Sequence, residues 1–577
     1  MQDFQPQYLN KSRRRFVQGL AAGGVLLGFS PLIKPGWATS ANTTTGSAPI
    51  LNGQEFDLTI APTTVNFTGK SRIATTINGS IPAPTLRWRE GETVTIRVTN
   101  RLHESTSIHW HGLILPYQMD GVPGISFSGI APGTTFTYRF KVQQSGTYWY
   151  HSHSGFQEQT GMYGAIIIEP SASKPAHIIR DYIVQLSDWT DEDPMRILSK
   201  LKQQSDYYNF NQPTVMDFFR DVSAQGIGAA LNKRRMWNQM RMNPSDLADI
   251  SAHTYTYLMN GVTPNGNWQG LFKPGERVRL RFINSGSATY FDVRIPGLAL
   301  TVVQADGQDV DPITVDEFRF GPGETMDVMV TPDDGAYTIF AQSMDRTGYA
   351  RGTLTSQAGA EAAIPPPDKP KPLGMQDMMG GMAHMENNDS KLDHSAHGGT
   401  SKEPIKVRHA KTEYGPSVDM RVDTPHTRLD DPGIGLRNNG RRVLTHADLH
   451  SVVDPPDQRG AQRDIELHLT GNMERYTWSI DGVEFGKSTP IHFRPNERLR
   501  VILHNDTMMT HPMHLHGMWS ELQSSEGTFQ TRRHTISVQP AQRITFLVTA
   551  DAIGRWAWHC HFMYHMDAGM FREVVVA

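Results

Sequence analysis

Three stretches of the chain repeat one pattern of apolar and polar positions. They are "NGSIPAPTLRWREGETVTIRVTN" (78–100), "NGVTPNGNWQGLFKPGERVRLRFIN" (260–284) and "DGVEFGKSTPIHFRPNERLRVILHN" (481–505). Each runs from a turn dipeptide through an acidic residue (Glu92, Glu276 or Glu497) into a run of alternating apolar side chains. A period of two predicts a strand with one face in a core. Two more trios follow at matching places. The first is "APGTTFTYRF" (131–140), "GPGETMDVMV" (321–330) and "QPAQRITFLV" (539–548); the second is "GTYWYHSH" (146–153), "GAYTIFAQ" (335–342) and "GRWAWHCH" (554–561).

Aligning the last trio on Gly146, Gly335 and Gly554 puts three pairs at the same two slots: His151 and His153, Phe340 and Gln342, His559 and His561. The chain therefore reads as three copies of one β-sandwich unit, over 50–170, 171–355 and 463–577. The outer copies carry imidazoles where the middle copy carries Phe340 and Gln342. The fold itself does not require histidine there.

Two regions break the pattern. Residues of about 190–255 interrupt the middle unit, and "AALNKRRMWNQMRM" (229–242) within them reads as helix. Residues 356–462 read as a long linker, beginning near "IPPPDKPKP" and poor in strand patterns. The linker contains "GMQDMMGGMAHMENNDSKLDHSAHGG" (374–399), a low-complexity tract rich in Met, Gly and His.

Composition agrees with an all-β chain of several domains. The 577 residues exceed one ordinary domain, and 51 glycines with 36 prolines suit short strands and many turns. A net charge of -3 gives no attraction to nucleic acid or to a membrane surface. The N-terminus, "SRRRFVQGLAAGGVLLGFSPLIKPGWATSA", has basic residues, a short apolar run and then small residues. That order predicts a signal peptide over 1–38 with cleavage near Ala38, and no membrane span in the mature chain. Ser12 to Phe16 resembles the twin-arginine signal, so the twin-arginine export machinery is an expected partner and the periplasm the expected location.

The only cysteine, Cys560, stands between His559 and His561. No intrachain disulfide can form, so the thiol is reserved for other chemistry. The imidazoles gather in four blocks: "HWHG" (109–112), "HSH" (151–153), "HPMHLHG" (511–517) and "HCH" (559–561) with His565. Residues i and i+2 of a strand share a face, so each His-x-His aims two nitrogens one way. If the outer units pack together, eight imidazoles line one cavity, a donor set suited to copper, zinc or iron. Cys560 then points to the opposite face. A thiolate, two imidazoles and a weak axial methionine make a blue-copper site, and His511, Cys560, His565 and Met570 supply that set.

These blocks resemble those of the multicopper oxidases, and more narrowly of the copper-resistance oxidases of the bacterial periplasm (CopA/PcoA type). The resemblance covers almost the whole mature chain, including the Met/His tract. It implies three cupredoxin-like Greek-key β-sandwich domains, four coppers, and four-electron reduction of O2 to water. By resemblance His511, Cys560, His565 and Met570 hold type 1 copper, and His109 and His514 hold type 2. His111, His151 and His561 hold one type 3 copper, and His153, His516 and His559 the other. His559 and His561 then bridge electrons from Cys560. Asp120, in "QMDGVP", matches the family's proton donor, although a turn aspartate before Gly121 fits the same residues. Many bacterial members carry a glutamate after the type 1 histidine that follows HCH. Here that position is Met566, with Asp567 next.

The substrate expected from the tract is Cu(I), oxidised to Cu(II) in copper resistance. Thioethers prefer Cu(I), so Met375, Met378, Met379, Met382, His384, Met385, His394 and His397 are candidate recruiting ligands. Three other readings compete. A laccase-like oxidase of phenols needs an open apolar pocket at the type 1 histidine. A copper-storage protein needs no Cys–His bridge. A nitrite reductase needs no type 3 pairs. A periplasmic partner in copper handling fits the first reading, and no motif names one.

Overall fold

A computed structural model describes residues 48–172, 180–378, 380 and 407–577. The expected signal peptide lies outside these residues, as do Met379, Met382, His384, Met385, His394 and His397. The described chain forms six sheets that pair into three sandwiches.

In the first sandwich, strands Glu55–Val65, Arg72–Ile77, Thr93–Asn100 and Thr135–Lys141 form one sheet. The other holds Ala83–Arg89, His109–His111, Gly146–His151 and Tyr163–Glu169 with a short edge strand, Ile50–Asn52. The second and third sandwiches each pair a six-stranded with a five-stranded sheet. The alternation in sequence becomes alternation in burial. In Thr93–Asn100, Val94, Ile96 and Val98 are fully buried while Thr95, Arg97 and Thr99 are not.

The ladders that matter for chemistry occupy equivalent places. In the first sandwich His109 pairs with His151 in antiparallel register, and in the third His514 pairs with His559 and Met513 with Cys560. The middle sandwich builds the same ladder, with Arg294 opposite Phe340 and Asp292 opposite Gln342. There Arg294 lies over the Phe340 ring at 4.7 Å, and Gln342 donates to the Asp368 backbone oxygen at 3.0 Å. The slot is thus filled by packing and hydrogen bonding where no imidazole is present.

The interruption of the middle sandwich is helical. Helix Pro194–Gln203 opens on an Asp193 cap and buries Ile197, Leu198 and Leu201. Helices Val215–Gln225 and Ile227–Met240 follow, and the second covers most of the stretch read as helix from the sequence. The chain then returns through 246–251 to strand Tyr255–Met259, with Asp246, Asp249 and Ile250 buried.

The described residues between strand Tyr349–Thr355 and residue 463 carry little regular structure, and 407–462 nonetheless pack closely. Leu436, Leu444 and Leu449 are buried, and single bridges join Val310 to Ser451, Glu317 to Val443 and His426 to Gln542. The segment therefore straps the second sandwich to the third.

Candidate metal centre

The first and third sandwiches meet along their histidine strands. His109, His111, His151, His514, His516, His559 and His561 are each at most 3% exposed, and His153 is only partly exposed. Their rings form one cluster. His111 stacks on His514 at 3.8 Å and His109 lies 4.0 Å from His516. His559 Nε2 sits 3.0 Å from His516 Nε2 and 3.3 Å from His153 Nε2. Three imidazole nitrogens from both sandwiches thus converge on one point.

The other nitrogens are anchored. His109 Nδ1 donates to the Asp120 backbone oxygen at 2.7 Å, and His514 Nδ1 to the His534 backbone oxygen at 2.6 Å. His559 Nδ1 donates to the Cys560 backbone oxygen at 2.9 Å, and His516 Nδ1 to Asp120 Oδ2 at 2.9 Å. His151 Nδ1 meets Glu158 Oε2 at 2.6 Å. These anchors fix each Nε2 as a lone pair facing inward. His111 is reversed: its Nε2 meets the Thr535 hydroxyl at 3.1 Å and its Nδ1 faces inward.

Five of the eight imidazoles have inward nitrogens without a protein partner. His109 Nε2, His111 Nδ1, His151 Nε2, His514 Nε2 and both nitrogens of His561 are buried without a hydrogen bond. Leaving one buried polar group unmet costs about 1–3 kcal/mol. Burial also pushes the pKa of His111, His151, His153, His514, His516 and His561 well below the ordinary value, and that of His559 down to about 4. Neutral imidazoles with unused lone pairs are metal ligands, so the donor set fits bound metal ions.

On the opposite face of strand Gly554–Cys560, Cys560 Sγ lies 3.5 Å from His511 Nδ1 and 3.7 Å from His565 Nδ1, which are 3.2 Å from each other. This buried triangle has the composition of a trigonal blue-copper site. Met570 is fully buried, and its backbone oxygen accepts from Cys560 N at 3.1 Å. Short helix Met563–Asp567 turns the chain so that His565 comes back to the thiol. Burial raises the thiol pKa, so without a cation the sulfur stays protonated.

Asp120 joins the two outer sandwiches. Its Oδ1 lies 3.3 Å from His109 Nδ1, its Oδ2 2.9 Å from His516 Nδ1, and it is 1% exposed. The following Gly121 has φ +82°, and a Cβ there would sit 1.8 Å from the Ile108 oxygen. Only glycine permits this turn. Asp567 is exposed at the end of short helix Met563–Asp567.

Sequence reading missed three groups around the ligands. Asp249 Oδ2 accepts from His565 Nε2 and from the Tyr476 hydroxyl, each at 2.8 Å. Glu158 holds His151, and burial pushes its pKa well up. His534, a ninth imidazole, lies 4.8 Å from the His111 ring and is 1% exposed. None of the three falls in a His-x-His pattern, and no spacing pointed to them. The middle sandwich adds a wall: a Cβ on Gly323 would meet His561 at 2.9 Å and His111 at 3.1 Å. Of the tract residues described, Met378 is buried in the apolar core and Met375 packs against it.

Three family models described as multicopper oxidase match residues 59–173, 180–359 and 458–577. The chain is 56% identical to a copper resistance protein A homolog of Pseudomonas syringae pv. tomato, over 98% of this chain and 99% of that protein. It is 54% identical to copper resistance protein A of Escherichia coli, again over 98% and 99%. A multicopper oxidase of Campylobacter jejuni described as a metallo-oxidase shares the fold at TM-score 0.57, with 18% identity, over 95% of this chain and 99% of that one. The chain belongs to the multicopper oxidase family, its cofactor is copper, and its buried imidazole clusters are consistent with that cofactor.

Proposed function

We propose that this chain is a periplasmic cuprous oxidase of copper resistance. Four Cu(I), one O2 and four protons give four Cu(II) and two waters. On this reading His511, Cys560, His565 and Met570 hold type 1 copper, and His109 and His514 type 2. His111, His151 and His561 hold one type 3 copper, and His153, His516 and His559 the other. Bound copper supplies one-electron oxidation at the type 1 place and four-electron reduction of oxygen at the other three. The location and the twin-arginine route rest on the N-terminal signal, and the role in copper resistance on the names of the relatives.

One observation carries the choice of substrate: the outer nitrogen of His565 is covered by a carboxylate. His565 is 0% exposed, its Nε2 is taken by Asp249, and Trp478 stacks on it at 3.9 Å. A phenol has no open apolar wall to lie against. A cation meets buried acids instead, since Asp246 Oδ1 and Asp249 Oδ1 lack hydrogen bonds. Near Leu247 is a cavity of about 20 Å³ lined by the thioethers of Met344, Met508 and Met509 and by Asp377, whose charge is paired with Arg437 in the same wall. That space has room for one small species, and its three thioethers, not its Arg437–Asp377 pair, are what favour Cu(I). Asp377 belongs to the start of the Met/His tract, so a described residue of the tract lines the cavity.

The residues then divide the work. Asp249 fixes the tautomer and orientation of His565 and adds negative charge where a cuprous ion gives up its electron. Cys560 places its sulfur on one face of a strand and the imidazoles of His559 and His561 on the other, so the path between the two copper places is covalent and one residue long on each side. Asp120 Oδ2, held at His516 Nδ1, passes protons toward the oxygen side.

Oxygen uptake by the copper-loaded protein tests this reading. Met508→Leu with Met509→Leu keeps the volume and removes both thioethers. The expected result is a raised KM for a buffered Cu(I) complex with the blue absorption unchanged. An unchanged KM would contradict the proposed entry path.

A further inference from the structure

Against the six-stranded sheet of the third sandwich, four buried side chains outside the copper centre meet at one point. His409 precedes the turn Lys411–Tyr414, which carries Glu413; His468 lies in strand Arg463–Asn472; Asp506 follows strand Arg498–Asn505. Their side chains are 2%, 1%, 5% and 0% exposed, in that order. His409 Nδ1 lies 2.7 Å from Glu413 Oε2 and 3.5 Å from Asp506 Oδ2. His468 Nδ1 lies 2.7 Å from Asp506 Oδ2 and 3.4 Å from Glu413 Oε2. Donors bound tetrahedrally at 2.0–2.1 Å stand about 3.3 Å apart. The four atoms are already close to such a shell.

We propose that His409 Nδ1, Glu413 Oε2, His468 Nδ1 and Asp506 Oδ2 bind one divalent first-row cation. The set holds no thiolate or thioether, so it discriminates against Cu(I). Two imidazoles with two carboxylates suit Cu(II) and Zn(II), with Cu(II) the tighter. Burial works to lower the pKa of His468, but the hydrogen bond and charge of Asp506, with Glu413 nearby, outweigh it and raise that pKa, so a divalent ion binds by displacing the proton and balancing the two buried carboxylates.

Three features show the shell to be built in advance. Each carboxylate spends its other oxygen on a backbone amide: Ala410 N donates to Glu413 Oε1 at 2.9 Å and Val422 N to Asp506 Oδ1 at 2.9 Å. The second oxygen of each is thereby aimed at the imidazoles. His468 stacks on His504 at 4.7 Å, and His504 Nε2 donates to Glu466 Oε1 at 2.7 Å, which fixes the ring planes. His409 supplies the third feature. Its Nε2 is buried without a hydrogen bond and lies 3.4 Å from Asp423 Oδ1. If Nδ1 keeps its proton for Glu413, a bare Nε2 lone pair faces a carboxylate. With a cation on Nδ1 the proton moves to Nε2, and the same carboxylate faces an N–H.

The placement gives the site a use. Asp506 precedes Thr507, whose hydroxyl lies 2.7 Å from His511 Nε2, so the shell begins one residue from a support of the type 1 place. The strap carrying His409 and Glu413 follows the Met/His tract. Soft ligands thus lie on the side of the reduced ion, and nitrogen and oxygen ligands await the oxidised one. This use rests on the cuprous reading; the site itself does not.

Zinc is the probe that separates the two. Protein loaded with four coppers per chain and freed of all further copper is dialysed against Zn(II), and zinc is counted in the wild type, in Glu413→Gln and in a His409→Gln, His468→Gln double variant. The blue absorption reports on folding. The expected result is one zinc fewer in both variants at equal absorption, with an anomalous zinc peak among the four donors in soaked wild-type crystals. Equal zinc counts, or soaked crystals without that peak, would overturn the site even if a variant failed to fold. Zinc bound at the four donors in a protein that does not oxidise Cu(I) would sustain the site and overturn the use assigned to it.

Discussion

His565 Nε2 donates to Asp249 Oδ2 at 2.8 Å across 316 positions of sequence. The interruption of the middle sandwich thereby reaches the proposed type 1 ligand of the third. Removing a partner of this kind costs about 10–100-fold in metal affinity or activity. Asp249→Ala is expected to slow Cu(I)-driven oxygen uptake by that order, and Asp249→Asn by less, because an amide oxygen still accepts. Stopped-flow reduction of the blue site checks this. An unchanged rate in the alanine variant would remove Asp249 from the electron entry.

Asp120 touches both outer sandwiches through His109 and His516. Asp120→Asn preserves shape and loses the exchangeable proton. Reoxidation by O2 is expected to slow by about 10²-fold, with reduction of the blue site unchanged. Rapid-mixing of the reduced protein with oxygen measures the two halves separately. Equal slowing of both would point to a structural role.

Cys560→Ser is expected to abolish the blue absorption and turnover, while the eight imidazoles on the other face of the strand keep their copper. Electron paramagnetic resonance distinguishes the two sites. Loss of all copper would show that the imidazole cluster depends on the thiol for its integrity. Unchanged copper tolerance of cells carrying the variant would favour storage over catalysis.

Acid should unfold the copper-free chain for a specific reason. Burial holds His534 and His559 down at about 4, against an ordinary value of 6.5. Between these values the unfolded chain binds protons that the folded chain excludes, so stability falls as pH drops. Each such imidazole removes about 1.4 kcal/mol per pH unit in that window. Urea midpoints of the copper-stripped protein should decline from pH 6.5 toward 4 and stay level above 7. A level midpoint down to pH 5 would contradict the burial of neutral imidazoles.

Legibility in the sequence follows the range of the interaction. Period-two strands and the glycine-anchored repeats are local, and they were readable as three sandwiches. His109, His151, His514 and His559 were readable because the same ladder recurs at Phe340 and Gln342 without imidazoles. Asp249, Glu158 and His534 were not. Each is a single polar residue in no repeated pattern, brought to the centre only by packing between distant segments. The strap over 407–462 lacked strand patterns because irregular backbone and isolated bridges, rather than ladders, hold it against the sandwiches. The buried four-residue cluster at His409 was hidden for the same reason.

The most direct test of the account is oxygen uptake by the copper-loaded protein with a buffered Cu(I) complex and, separately, with a simple phenol, in the wild type and in a deletion of 381–397 that spares the packed Met375 and Met378. The account predicts fast uptake with Cu(I), slowed by the deletion, and slow uptake with the phenol. Fast uptake with the phenol alone, indifferent to the deletion, would contradict it.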